Sequence, residues 1–292
     1  TLVLHLQFDK EMAEFLRKED CVTFSTGFQS NLGIISAVVG MHDYVICDRE
    51  NHASIYDGCR LAYGKMLRYR HNDMEDLERQ LQRVPENAGC LIVTDGVFSM
   101  GGDIANLPEI VRLAKKYGAR IMVDDAHAFG VIGEGGRGTA SYFGLEDQVD
   151  IYMGTFSKSL ASLGGYMAAS AEACDYVRCN SRPYMFSASV TPAGIAVATA
   201  ALRHLKAHPD LPRKLLNISQ YMRDGLHARG VKIIDAETPI IPIYTYDPIV
   251  TLRAQKELYE RGVYERHPAP CLRSGRVPPP LHSHGHPHEG AC

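Results

Sequence analysis

Lys158 is the residue around which chemistry in this chain could be organised. It lies in the stretch TFSKSLASLGG, flanked by Thr155, Ser157 and Ser159, with Gly164 and Gly165 a few positions on. Short hydroxyls, and a backbone that can approach closely, suit a phosphate. An amine beside them can serve as nucleophile or base once it has lost its proton. Taken alone, a lysine in such a loop is a solvated surface lysine. Other groups change that reading. Asp124, Asp125 and His127 follow the apolar run 119–123, and Asp95 follows the run 90–94. Ser25, Thr26 and Gly27 precede a stretch of helical spacing that starts at Asn31. A helix start offers unpaired N–H groups to an anion, although Ser-Thr-Gly there is also an ordinary N-cap. His52 opens a further helix, where by itself it reads as a cap-region histidine.

These groups need elements to hold them. Short runs rich in β-branched residues predict strands at 43–47, 90–94, 119–123, 149–153 and 166–169. Amphipathic spacing predicts helices at 31–39, 73–84, 107–117, 193–205, 211–229 and 250–261, with Asn106 placed to cap the third of them. Further strands are expected at 231–235 and 239–246, in a smaller region. Strand, loop, helix and strand in repetition predict a parallel sheet with helices on both faces. That order aligns the ends of three strands at Asp95, Asp124 and Lys158, where such folds place ligands. Asp125 would point to the opposite side of an extended segment and so reads as structural. Gly133–Gly138 matches G-x-G-x-x-G, but it neither leaves a strand directly nor opens a long helix. A glycine-rich connection is the better reading there.

The chain has 292 residues, 45% of them hydrophobic, and a net charge of -3. That is enough for one large core with a small appendage. It carries no bulk basic excess that would favour nucleic acid or an anionic membrane. None of the eight cysteines forms a Cys-x-x-Cys pair, and several sit in apolar runs as reduced hydrophobes, which points to the cytosol. No apolar run approaches the ~20 residues of a membrane span. From His267 onward six of fifteen prolines and an alternating set, His282, His284, His286 and His288, replace periodic apolar residues. The expectation is a disordered tail without a metal-binding role.

The stretches FSTGFQSN, NHASI, VTDGVFSMGGD, VDDAHAFGVIGEGGRGTA, GTFSKSLASLGGY and MFSASVTPA run in this order over about residues 22–193. Together they resemble the α-oxoamine synthases, which are fold-type I enzymes dependent on pyridoxal 5'-phosphate (PLP). Within that family the match looks most like bacterial serine palmitoyltransferase. The resemblance implies an α/β fold: a large PLP-binding domain with a mostly parallel sheet between helices, and a partial small C-terminal α+β domain. The implied boundaries are 1–207, 208–266 and a tail at 267–292. Relatives carry further sequence before Thr1 and an arginine-bearing segment after Tyr264. Against that pattern the chain reads as N-terminally incomplete and altered at its end.

By the same resemblance Lys158 matches the lysine that carries the cofactor, and Asp124 the carboxylate paired with its pyridine nitrogen. His127 would lie beside the phenolic oxygen, with Ser99 supporting that side, and His52 would stack on the ring. Ser25, Thr26, Gly27, Phe28, Thr155 and Ser157 would surround the phosphate, with Ser187 or Ser189 added from a partner subunit. Asp95 stands where relatives carry glutamate. The implied reaction is decarboxylative condensation of an amino acid, serine above others, with an acyl-CoA in a cytoplasmic homodimer with interface active sites, as in sphingolipid base synthesis. The alternatives are an 8-amino-7-oxononanoate or 2-amino-3-ketobutyrate synthase, a plain aminotransferase, or an inactive family member that keeps the fold.

Overall fold

The computed structural model describes residues 1–264; the proline- and histidine-rich tail lies outside them. In chain order the elements are α1 (Val3–Leu16), β1 (Asp20–Phe24), α2 (Gly27–Val38), β2 (Tyr44–Asp48), α3 (Ala53–Leu61), β3 (Lys65–Tyr69), α4 (Met74–Leu81), β4 (Cys90–Asp95), α5 (Leu107–Tyr117) and β5 (Arg120–Asp124). There follow α6 (Thr139–Phe143), β6 (Ile151–Thr155), β7 (Gly165–Ala169), α7 (Ala171–Asn180), α8 (Arg182–Met185), α9 (Pro192–Ala207), α10 (Leu211–His227) and α11 (Pro248–Glu260).

The seven strands form one sheet in the order β1-β7-β6-β5-β4-β2-β3. All neighbours from β6 to β3 are parallel, and β7 runs antiparallel to both β6 and β1. Six strands therefore share one direction, and their carboxyl ends fall along one edge. At that edge Asp95 is paired with Asp124, and Thr155 with Gly165. The expected alignment of strand ends is thus present in the register.

Alternation along each strand builds two cores. Ile92, Ile121, Val123 and Tyr152 face the side of α1, α4, α5 and α9, where Phe8, Leu77, Ile110 and Leu202 pack on them. Val45, Val93, Met122 and Met153 face α2, α3 and α7, meeting Ile34, Ile35, Ile55 and Val177. The period of two leaves little choice: Val123 faces one core, so Asp124 faces the other.

Several boundaries differ from the sequence reading. β1 and β3 were not expected. Both are edge strands of five residues carrying charges (DCVTF, KMLRY), and such edges lack the continuous apolar signal of a central parallel strand. The runs 231–235 and 239–246 form no strand. There the backbone is tied by Arg223, whose buried guanidinium donates to the carbonyls of Thr238 and Ile240. Asn106 occupies the N-cap position of α5 without a side-chain capping bond; its N–H donates to Asn72 Oδ1 at 3.0 Å. By contacts, residues 1–242 form one compact unit, and α11 belongs to a second unit that begins at Ile243.

Candidate active site

The site is assembled at the carboxyl edge by one element per side chain. β1 ends at Phe24 and hands the chain to Ser25 and Thr26, which start α2. Thr26 Oγ1 accepts from the Gln29 N–H at 3.1 Å and caps the helix. The ordinary N-cap reading is therefore true, and it does not exclude an anion. Capping by Thr26 satisfies one helix-start N–H, and the others still point out of the end. Gly27 is required by closeness: a Cβ there would lie 2.6 Å from both Cβ and Oγ1 of Thr155, at the end of β6. The start of α2 thus touches the loop that carries Lys158. In that loop Thr155 Oγ1 donates to the Gly164 carbonyl at 3.0 Å and lies 3.0 Å from Ser157 Oγ.

Asp124 is nearly fully buried, at 3% exposure. Its Oδ1 accepts from the Ala126 N–H at 2.9 Å and its Oδ2 from Asn31 Nδ2 at 2.7 Å. Burial raises its pKa above the usual carboxylate range, while these two bonds and the nearby His52 and Lys158 oppose the rise. The half-buried Lys158 is therefore within electrostatic reach of Asp124. Asp95, on the adjacent strand, is pushed well up by burial and then by Asp124. Its Oδ2 accepts from the His52 N–H at 2.9 Å. Two carboxylates side by side in a dry place create a local demand for positive charge or protons.

His52 is exposed, and its ring lies edge-on to Phe28 at 6.4 Å. His127 is half-buried in the loop after β5, and Ser99 is exposed after β4. Ser187 lies by α2 of its own chain, accepting from Gln29 Nε2 at 3.1 Å, and Ser25 Oγ donates to the Ala188 carbonyl. The segment at 187–188 and the start of α2 are therefore stitched together within one subunit. Asp125 faces away, as alternation requires. Its Oδ2 accepts from the Thr139 N–H at 3.1 Å, at the start of α6, and burial pushes its pKa up to about 7.

Three polar groups at this edge escaped the sequence reading. Asn31 joins Asp124 to Ser54, donating to Ser54 Oγ at 2.9 Å. Asn51 Oδ1 accepts from the Asp95 N–H at 2.9 Å, while its Nδ2 donates to the Val93 carbonyl at 2.8 Å. His71 bridges Asp48 at 3.0 Å and Asp103 at 2.9 Å, fastening the loop after β4 to the end of β2. A signal existed for Asn31, because a polar residue stands one turn before Ile34 and Ile35 on the buried face of α2.

A cleft of about 650 Å³ opens at the opposite edge, between Arg17, Lys18, Tyr44, Arg120 and Asp147. Its cations are already engaged. Arg17 pairs with Glu134 and Glu146, Arg120 pairs with Asp150, and Lys18 donates to the Glu146 and Val149 carbonyls. The chemistry lies at the carboxyl edge.

A mostly parallel sheet between helices, with an acid and a lysine at adjacent strand ends and a helix start facing them, defines a PLP-type transferase scaffold. The chain belongs to the family described as aminotransferase class I and II, whose model matches residues 1–285. It is 48% identical over 264 residues to the serine palmitoyltransferase of Sphingobacterium spiritivorum, covering 90% of this chain and 66% of that protein. It is 44% identical over 264 residues to the 8-amino-7-oxononanoate synthase of Thermoanaerobacter pseudethanolicus, covering 90% of this chain and 67% of that protein. The solved serine palmitoyltransferase of Sphingomonas wittichii superposes with a TM-score of 0.89 at 39% identity, covering 94% of this chain and 70% of that one. A serine palmitoyltransferase from S. paucimobilis with a bound PLP-myriocin aldimine gives 0.87 at 37% identity, covering 91% and 70%. The chain thus spans about two thirds of the length of the curated relatives it matches.

Proposed function

We propose that this chain is a PLP-dependent acyltransferase that condenses an amino acid, L-serine, with an acyl-CoA. The observation that carries the reading is Asp124. It is a carboxylate 3% exposed at a strand end, with Lys158 close enough to act on its charge, in a chain 48% identical to a serine palmitoyltransferase. The residues present fit the cofactor. Asp124 is buried with its pKa raised by that burial, and a protonated pyridine nitrogen would match its charge. The contact of Gly27 with Thr155 brings a helix start and three hydroxyls, Ser25, Thr155 and Ser157, to one place, which suits a phosphate dianion.

When bound, PLP supplies an electron-accepting ring for the pair of electrons left at the amino acid's Cα. Asp124 holds the proton on the ring nitrogen. Lys158 Nζ anchors the cofactor and then moves the Cα proton. Ser25, Thr26, Gly27, Phe28, Thr155, Ser157 and Ser187 hold the phosphate end, and His127 and Ser99 serve the phenolic-oxygen side. His52, held by its own N–H to Asp95, would stack on the cofactor ring and orient the substrate. In the overall reaction Cα loses its proton and bonds to the acyl carbon, the thioester C–S bond breaks to release CoA as the thiol, and the Cα–carboxylate bond breaks to release carbon dioxide while Cα takes a proton back.

The finer reading is a homodimer in a reducing cytoplasm, serving sphingolipid base synthesis. Exposed Phe28, Met185 and Phe186 at the site edge support the dimer. Free Cys21, Cys47, Cys59 and Cys174, all buried, support the compartment. The 44% identity to an 8-amino-7-oxononanoate synthase favours a second reading, a condensation of that type with another amino acid, such as alanine, in place of serine. Absorption spectra with PLP, for the chain and for Lys158→Ala, test the cofactor site. A long-wavelength band present only with Lys158, and changed by L-serine, is the expected result. No band would mean that this chain does not assemble the site. Product analysis with serine or alanine separates the two substrate readings.

A further inference from the structure

Asn31 is buried at 1% exposure, and its Oδ1 has no hydrogen-bond partner among the described residues. A buried polar group with an unsatisfied acceptor is costly, so its other end must do something a leucine of the same size could not. That end is Nδ2. Its two hydrogens serve two acceptors on two elements, Asp124 Oδ2 at 2.7 Å on β5 and Ser54 Oγ at 2.9 Å on α3. A serine hydroxyl has one hydrogen. With Asn31 donating into Ser54 Oγ, that hydrogen is free to point to His52 Nδ1, 2.7 Å away. The Ser54 backbone N–H, 3.3 Å from the same nitrogen, also donates to it. Nδ1 is then an acceptor, and the ring proton sits on Nε2. The network closes through Asp95, which accepts from the His52 N–H and is paired with Asp124 in the sheet.

We propose that Asn31 is a positioning residue, acting through Ser54 to keep His52 Nδ1 an acceptor and the ring proton on Nε2 while it orients the Asp124 carboxylate. The proposal about Asp124 rests on the cofactor reading above; the proposal about the His52 proton does not. Asn31 sets the direction of the whole chain of donors. Turning its amide over would bring Oδ1 against Asp124 and leave Ser54 without a donor, freeing the serine hydrogen to turn away from His52. Asp95 from β4 takes the His52 backbone N–H, and His52 and Lys158 both lie within electrostatic reach of Asp124 from β5. The ring is therefore presented to the cofactor side as a donor, beside an acid whose plane is fixed.

The test uses the purified chain without cofactor and then with PLP. Long-range proton–nitrogen NMR of the histidine rings, with the His52 signal identified by its loss in His52→Gln, reads the tautomer at about pH 8, above the ordinary histidine range. The wild-type chain should carry the proton on Nε2; Ser54→Ala and Asn31→Leu leave only the longer 3.3 Å backbone N–H to Nδ1, so both should show a larger share of the Nδ1-protonated ring. Spectral titration with PLP should show affinity about tenfold weaker for Asn31→Leu, the loss of one hydrogen bond to a charged group, and a smaller change for Ser54→Ala. An Nδ1 proton in the wild-type chain, or an unchanged tautomer in the variants, overturns the proposal. If Asn31→Leu does not fold, Ser54→Ala decides alone, because it cuts the His52 arm and leaves the Asp124 arm. Absence of a Lys158-dependent band in the wild-type chain would fail the cofactor reading while the tautomer still judges the proposal.

Discussion

Replacing His71 with glutamine should destabilise the fold below neutral pH and do much less in alkali. His71 is about a quarter exposed, with Nδ1 3.0 Å from the fully buried Asp48 and Nε2 2.9 Å from Asp103. Burial alone would lower its pKa, but the hydrogen bonds and charges of Asp103 and Asp48 outweigh it and raise the value from 6.5 to about 10. A raised histidine pKa means that the folded chain binds the proton more tightly than the unfolded one. The stabilisation is fully present below 6.5 and is lost as pH rises through about 10. That interval sets a ceiling of about 5 kcal/mol. Asp103 is 38% exposed, and solvent screens it, so the expected contribution is nearer about 2–3 kcal/mol. Asp48 keeps the Glu50 and Asn72 N–H donors in the variant, both at 2.8 Å, which limits the damage. Urea unfolding of wild type and His71→Gln at about pH 6 and about pH 11 should show a gap of that size that shrinks in alkali. An equal gap at both pH values would refute the reasoning, since a purely steric effect does not titrate.

Gly27→Ala should weaken PLP binding and cost about 1–3 kcal/mol of stability, because the new methyl falls 2.6 Å from Thr155 and something must shift; spectral titration and thermal melts read both. Asp9→Asn should act in the opposite sense. Burial raises the Asp9 pKa to about 7 against the hydrogen bond from Thr23. Its stabilising contribution is therefore present below 3.8 and lost as pH rises through about 7. The asparagine variant should be more stable than wild type by about 1–2 kcal/mol at pH 8 and equal to it in acid; a constant difference across pH would count against the assignment.

The positions of Asp124, Asp125 and Lys158 were legible because they depend on local rules. A short β-branched run followed by small polar residues marks a strand and its exit, and a period of two assigns Asp124 and Asp125 to opposite faces. Asp125 does cap α6, on the far side from Asn31. Edge strands β1 and β3 were not legible, since β3 is a partly exposed, charged segment that resembles a loop, while β1 is only five residues long and opens on Asp20. The runs 231–235 and 239–246 failed for the converse reason. Apolar alternation suggests strands, and the two runs meet where the Ile234 N–H donates to the Pro242 carbonyl at 3.1 Å, but no ladder grows from that bond, and the Ile240 carbonyl takes a bond from Arg223 instead.

The sequence by itself determined the α/β architecture, the alignment of the strand ends at Asp95, Asp124 and Lys158, and which acid and which lysine stand at the carboxyl edge, because periodicity and exit-loop composition act within a few residues; the strand order and the antiparallel β7 came from the tertiary structure. Only the tertiary structure decided how those ends are wired together. Asn31 meets Asp124 across 93 positions, His71 meets Asp103 across 32, and Gln29 meets Ser187 across 158. Hydrogen bonds between residues so far apart follow from the packing of α2 on the sheet and from the loops after β3 and β4 meeting at its carboxyl edge, and no local pattern encodes the distance at which two such side chains arrive.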